Sequence, residues 1–125
     1  MPLKVSVDQK KPGAFTVSPV GSIDSDTFKD LEDAVKGALD QKAQAIVFDF
    51  TAVEYISSMG LSVIFKTKKE ISKTGGTMLI TNLQPKVKSI FELVKVIPSW
   101  IFENMQQADE HLDAFLAEKQ KKEGK

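Results

Sequence analysis

Between Ala45 and Ile64 the chain changes its hydrophobic period, and that change constrains the fold more than any other feature. Ala45-Ile46-Val47-Phe48-Asp49-Phe50 is almost continuously apolar, the pattern of a strand covered on both faces. From Met59 onward, Leu61, Ile64, Phe65, the aliphatic stem of Lys68 and Ile71 recur at three- and four-residue spacing, as on one face of a helix. Thr51 to Ile56 reads as a short connection between the two. Ser57 and Ser58 stand where the helix begins. Strand, turn and helix thus put two hydroxyls at the positive end of a helix dipole, a place that suits an anion or a group that becomes one.

Composition narrows the function classes. A chain of 125 residues, 42% hydrophobic, can bury the core of one domain. Seventeen basic residues balance seventeen acidic ones, which gives no support to nucleic-acid or membrane-surface binding. No apolar run approaches the roughly 18 residues of a membrane span, and Met1 to Asp8 alternates without the apolar block of a signal peptide. The chain has no cysteine, which excludes disulfides, thiolate metal sites and a cysteine nucleophile and fits a reducing, cytoplasmic setting. The single histidine, His111, lies in a charged tail, so one chain cannot supply a histidine-based triad or a multi-histidine metal site. No cofactor is expected.

The remaining elements follow from period and punctuation. Leu3, Val5 and Val7 alternate with polar residues, as in a half-buried strand. Lys10-Lys11-Pro12-Gly13 is a turn, and Ala14 to Val20 a second, antiparallel strand, with Pro19 expected at its end or on a free edge. Asp24, Ser25 or Asp26 can cap a helix running from about Ser25 to Leu39, with Phe28, Leu31, Val35, Ala38 and Leu39 on its apolar side. Gly75-Gly76 ends the second helix, and Thr77 to Thr81 is a short buried strand. Pro85 opens a third helix with Val87, Ile90, Phe91 and Val94 as its stripe. Trp100-Ile101-Phe102 is a last short strand, and Asp109 to about Lys119 a closing helix. The order β-β-α-β-α-β-α-(β)-α predicts a mixed α/β sheet in one domain over residues 1–118, with a charged, fraying tail over 119–125.

Little in the chain resembles an enzyme. Gly75-Gly76 follows a helix, the wrong context for a dinucleotide fingerprint. Most carboxylates read as solvated surface charge. Asp49 sits in an apolar strand, either at a site by the strand's C-terminal end or bonded to loop amides. Ser57 and Ser58 also carry two readings. Serine is a preferred helix cap, worth about 1 kcal/mol over alanine. A serine there can equally accept a phosphate, whose charge a helix N-terminus tolerates.

The segment Ile46-Val47-Phe48-Asp49-Phe50, then Val53-Glu54-Tyr55-Ile56-Ser57-Ser58-Met59-Gly60-Leu61, resembles the signature of the STAS domain, shared by sulfate transporters and bacterial anti-sigma factor antagonists. Gly21-Ser22-Ile23-Asp24, Gly75-Gly76, Asn82 and the Val87–Leu93 stretch extend the resemblance over nearly the whole chain. It implies a β-sheet with helices packed mainly on one face and a protein–protein switch without catalysis. In anti-sigma factor antagonists a serine at the start of the helix is phosphorylated by an anti-sigma factor that is also a serine protein kinase. The unmodified form binds that kinase and frees the sigma factor, and a phosphatase resets the switch. By motif, Ser58 is the acceptor, with Ser57 as second choice. The partner surface is expected to comprise Asp24, Ser25, Tyr55, Ser57, Ser58, Met59, Gly60 and Leu61. Two positions depart from the pattern: Ser57 replaces an acidic residue and Met59 a small hydroxyl residue.

Other functions remain compatible with the same residues. One is a constitutive interaction or scaffold module, monomeric or weakly dimeric, using Met59 and Trp100-Ile101-Phe102 as contact surface. Another is an anion- or nucleotide-binding domain built on the helix N-terminus.

Overall fold

The central apolar run forms β3 (Ala45–Asp49), a strand in the middle of a mixed sheet. A computed structural model of the chain describes residues 3–93, 101–102, 110, 114 and 116. Around β3 lie β1 (Lys4–Lys11), β2 (Ala14–Ile23), α1 (Phe28–Asp40), β4 (Ala52–Ile56), α2 (Ser58–Lys73), β5 (Thr77–Thr81), α3 (Pro85–Leu93) and β6 (Ile101–Phe102). The sheet order is β1-β2-β3-β5-β6, with β4 pairing β2. Among the described residues β1 and β2 pair antiparallel and the other strand pairs are parallel, as crossovers through helices require.

One strand was not expected. The segment read as a connection from Thr51 to Ile56 contains β4, paired in parallel with the second half of β2. Strand β2 is long enough to serve two neighbours. Ala14 to Val17 pair with Ala45 to Phe48, and Val20 to Ile23 pair with Ala52 to Ile56. A register shift at Gly21/Ser22 explains why β4 hides from a pattern search: its buried residues, Val53 and Ile56, lie three apart instead of two. Pro19 is not at an end or free edge. It sits inside β2, between the last β3 pair and the first β4 pair, where its missing N–H costs no rung on that side.

Alternation along the strands sorts the side chains into two layers. Phe15, Val17, Ile46, Phe48, Met78 and Ile80 face one side and share a core with Leu31 and Val35 of α1, Leu61, Ile64 and Ile71 of α2, and Val87 and Phe91 of α3. Helices α1, α2 and α3 therefore pack on one face, in line with the expectation of helices mainly on one face. Phe48 and Phe50 meet edge to face at 5.8 Å, with Phe91 behind them at 6.4 Å. All three rings are fully buried, each contributing about 1.5–3 kcal/mol. On the other side Ala14, Ala45, Val47 and Leu79 form a smaller cluster, against which Leu116 packs.

Helix ends are closed by local chemistry. Gly75, at φ +79°, ends α2, with Gly76 N–H donating to the Ile71 carbonyl and Gly75 N–H to that of Ser72. The same pair of bonds ends α1, but there Lys42 takes the left-handed position at φ +60°. Helix α1 starts at Phe28, three residues later than expected, because Asp24 to Thr27 form a capping turn before it. Of the late elements, Ile101–Phe102 pairs with β5, and Glu110, Ala114 and Leu116 are helical. Trp100, His111, the rest of the closing helix and the tail from Lys119 lie outside the described residues.

Candidate functional site

The site is built where β2 and β4 finish side by side. Ile23 pairs with Ile56, and the Ser57 N–H donates to the Ile23 carbonyl at 2.8 Å. That bond fastens the start of α2 to the end of β2, so the Asp24-Ser25-Asp26 loop leaves the sheet next to Ser57 and Ser58. Gly60 makes the approach close enough. A Cβ there would lie 2.6 Å from Ile23 Cγ2 and 2.6 Å from Ile56 Cγ1, which no side chain tolerates without movement.

Of the two serines, Ser57 takes the capping role read from the sequence. Ser57 has extended backbone, φ −92° and ψ 176°, and its Oγ accepts the Gly60 N–H at 3.3 Å, so it is the cap of α2. Its carbonyl accepts the first helical bond from Leu61 N–H at 2.9 Å. Ser58 is the first residue of the helix and is exposed. Among the described residues its hydroxyl has no hydrogen-bond partner; only its carbonyl is engaged, by Ser62 Oγ at 3.0 Å. Tyr55 and Met59 flank it, 48% and 42% exposed. Gly60 and Leu61 were expected on the same surface but are buried, Leu61 to 7% exposure.

Asp24 resolves the choice among three candidate caps. Its Oδ1 accepts the N–H of Asp26 at 2.9 Å and of Thr27 at 3.1 Å. In return Thr27 Oγ accepts the Asp24 N–H at 2.9 Å and donates to the Ser22 carbonyl at 2.8 Å, a reciprocal capping arrangement. The Asp26 amide above all, with the Thr27 hydroxyl and amide, holds the Asp24 carboxyl below the usual carboxylate range. Ser25 and Asp26 remain exposed. Thr27 was not singled out from sequence, although the Asp24-x-x-Thr27 spacing is that of a cap and its partner.

Asp49 belongs to a separate bracket. Its Oδ1 accepts from the amide and hydroxyl of Thr51 and from Asn82 Nδ2 at 3.1 Å. Gln84 Nε2 donates to the Thr51 carbonyl at 2.9 Å and completes a tie between the loops after β3 and β5. Burial alone would raise the Asp49 carboxyl, but the Thr51 and Asn82 donors outweigh it and hold the carboxyl low. Of the two sequence readings, loop bonding is the one its contacts describe. Asn82, at φ +62°, is braced by this bond in the left-handed conformation.

Elsewhere a groove of about 560 Å³ runs between α1 and α2. Carboxylates of Glu32, Asp33, Asp40 and Glu70 outnumber Lys36 and Lys66 along it, the wrong balance for a nucleotide phosphate. Among the described residues no three His, Cys, Asp or Glu side chains converge as metal ligands, and no helix is long and apolar enough to cross a membrane.

Comparison with known proteins gives a consistent set of likenesses. A family model described as the STAS domain matches residues 6–108. BtrV of Bordetella bronchiseptica, named as a candidate anti-sigma factor antagonist, is 26% identical over 106 residues, which are 85% of this chain and 90% of BtrV. Among solved structures, the anti-sigma factor antagonist SpoIIAA in its unphosphorylated form superposes with a TM-score of 0.78 at 15% identity, over 89% of this chain and 97% of SpoIIAA. An anti-sigma factor antagonist from Mycobacterium paratuberculosis superposes with a TM-score of 0.78 at 24% identity, over 87% of this chain and 92% of that one. Both structural likenesses concern the fold.

Proposed function

Because the chain belongs to the STAS domain family, we propose that it is an anti-sigma factor antagonist, a non-catalytic protein that binds an anti-sigma factor with serine kinase activity. Kinship with BtrV along almost the whole of both chains supports the antagonist role. The switch rests on one observation: Ser58 is exposed on the first turn of α2 while Ser57 holds the cap. A phosphate on Ser58 adds roughly −1.5 to −2 charges. The helix dipole favours that charge by about 0.3–1 kcal/mol at an exposed site, so the fold survives the modification. Partner binding need not survive it, since the phosphate lands in the middle of the contact surface. A phosphatase would restore the binding form, and both reactions belong to the cytoplasm.

Phosphosite mass spectrometry on protein isolated from its native cell under two growth conditions tests this. A phosphate on Ser58 that changes between conditions is expected. A phosphate on Ser57 alone would transfer the switch to the cap. With the peptide well covered, no phosphate in either condition would leave a constitutive binding module, the reading that the exposed Tyr55 and Met59 also permit.

A further inference from the structure

We propose that the free edge of β1 is where two copies of this chain join, their β1 strands pairing antiparallel over Lys4 to Asp8. The partner on this surface is thus a second copy, and the inference does not depend on the antagonist reading.

Strand β1 lies at the end of the sheet, paired with β2 on one side and with no strand on the other among the described residues. Such an edge presents a row of unpaired N–H and C=O groups and can template another strand. Its side chains sort into two faces. Val5 and Val7 share the helix side, since Val7 stands opposite Val17 of the core. Val5 packs partly against that core, while Val7 is 39% exposed. Lys4, Ser6 and Asp8 take the other face and are exposed. Across the ladder Lys4 stands opposite Val20 and Asp8 opposite Thr16, so neither meets a charge on β2. Four residues apart on an extended strand, Lys4 and Asp8 are separated by about 13 Å, too far to pair with each other. Among the described residues neither takes part in an ion pair within the chain.

A second copy satisfies both charges. In one antiparallel register Lys4 falls opposite the second copy's Asp8, Val5 opposite its Val7, and Ser6 opposite its Ser6. A two-fold axis at Ser6 repeats each contact. It gives two Lys–Asp pairs on one face, and on the other a valine cluster that covers Val7 and continues the core beneath α1. Opposite charges and β-branched residues directly across from each other stabilise antiparallel strands. Neighbouring registers lack this match. Sliding by one residue sets a valine opposite Asp8 or Lys4 and throws the two helix layers to opposite faces. Sliding by two sets Lys4 opposite Lys10 or Ser6. The register shift between Gln9 and Lys11 closes one end of the matched stretch. Because the two-fold uses up both free edges, pairing stops at two chains. The contact is small, so the dimer forms at high concentration and dissociates on dilution.

Sedimentation equilibrium of the full chain from about 10 µM to about 1 mM tests this, and a monomer–dimer equilibrium is expected within that range. Lys4→Asp and Asp8→Lys each place like charges opposite one another at both ends of the pairing, and each should weaken it about tenfold or more. The double variant Lys4→Asp/Asp8→Lys restores complementarity and should return to within about threefold of wild type. Lys29→Asp makes the same change in net charge as Lys4→Asp at an exposed position on α1, and should also stay within about threefold. Amide hydrogen exchange on the wild type needs no variant: raising the concentration should slow exchange in β1 and leave β3 unchanged. A chain that is still monomeric at about 1 mM overturns the proposal. So does a dimer that Lys4→Asp leaves intact, or one that forms with exchange in β1 unaltered.

Discussion

At the scale of single residues, the backbone is held by groups packed or bonded within the chain. Gly60 is the clearest case, since a methyl there would press on Ile23 and Ile56 at 2.6 Å and on the Ile23 carbonyl at 3.2 Å. Gly60→Ala is expected to destabilise the protein by about 1–3 kcal/mol in urea denaturation, the usual cost of overpacking. Asp49 acts through hydrogen bonds, and its carboxyl is depressed by them, as that of Asp24 is. A depressed carboxyl contributes stability that is present above its unfolded value, about 3.9, and lost as pH falls through the folded one. Urea unfolding across acid pH should therefore show constant stability above about pH 5 and a decline below about pH 4. Asp49→Asn should flatten that decline in part, since Asp24 still titrates. A decline of the same steepness in the variant would show that Asp49 does not contribute to it.

At the scale of elements, helix termini carry the informative differences. Ser57 and Ser58 are adjacent and identical, yet only Ser57 caps α2. Ser57→Ala should lower stability by about 1 kcal/mol, while Ser58→Ala should stay within about 0.5 kcal/mol. Chemical denaturation of the two variants separates the structural serine from the proposed acceptor, and equal losses would contradict that division. At the end of α1, Lys42 occupies a left-handed position that glycine holds at the end of α2. Lys42→Gly is expected to raise stability by about 0.5–1 kcal/mol, because it relieves a Cβ–carbonyl clash at that φ. A fall in stability would mean that the added freedom of the unfolded chain outweighs the relief.

At the scale of the whole molecule, the sheet sets which parts are firm. Strands β2, β3 and β5 are paired on both sides and carry Val17, Ile46, Phe48 and Ile80 at full burial or nearly so. Strand β1 is an edge, exposed along most of its length. Amide hydrogen exchange should be slowest in β2, β3 and β5 and faster in β1, by the difference between global and local opening. Uniform protection across β1 and β3 would contradict this order. The candidate site stands at the join between firm and exposed parts, with its backbone tied to Ile23 of the sheet and Tyr55, Ser58 and Met59 facing solvent.

The linear pattern of residues determined most of the architecture by itself. A continuous apolar run, a change to helical period after Ser58 and glycine at Gly75 are local signals, and each set its element through backbone and burial preferences alone. The same signals marked Asp24, Ser57 and Ser58 as helix-terminal residues. Tertiary structure decided what depends on contact between distant segments. Strand β4 exists because β2 has unpaired length left beyond β3, and its bulged register breaks the alternation by which a strand is recognised. The cap fell to Ser57 and the open position to Ser58 because the Ile23 carbonyl holds Ser57 N–H at the sheet's edge. Burial of Gly60 and Leu61, and exposure of Met59 between them and Ser58, follow from where that anchored helix meets Ile23 and Ile56. Local preference can say that a helix starts near two serines; only the fixed partner on a neighbouring strand decides which of them faces outward.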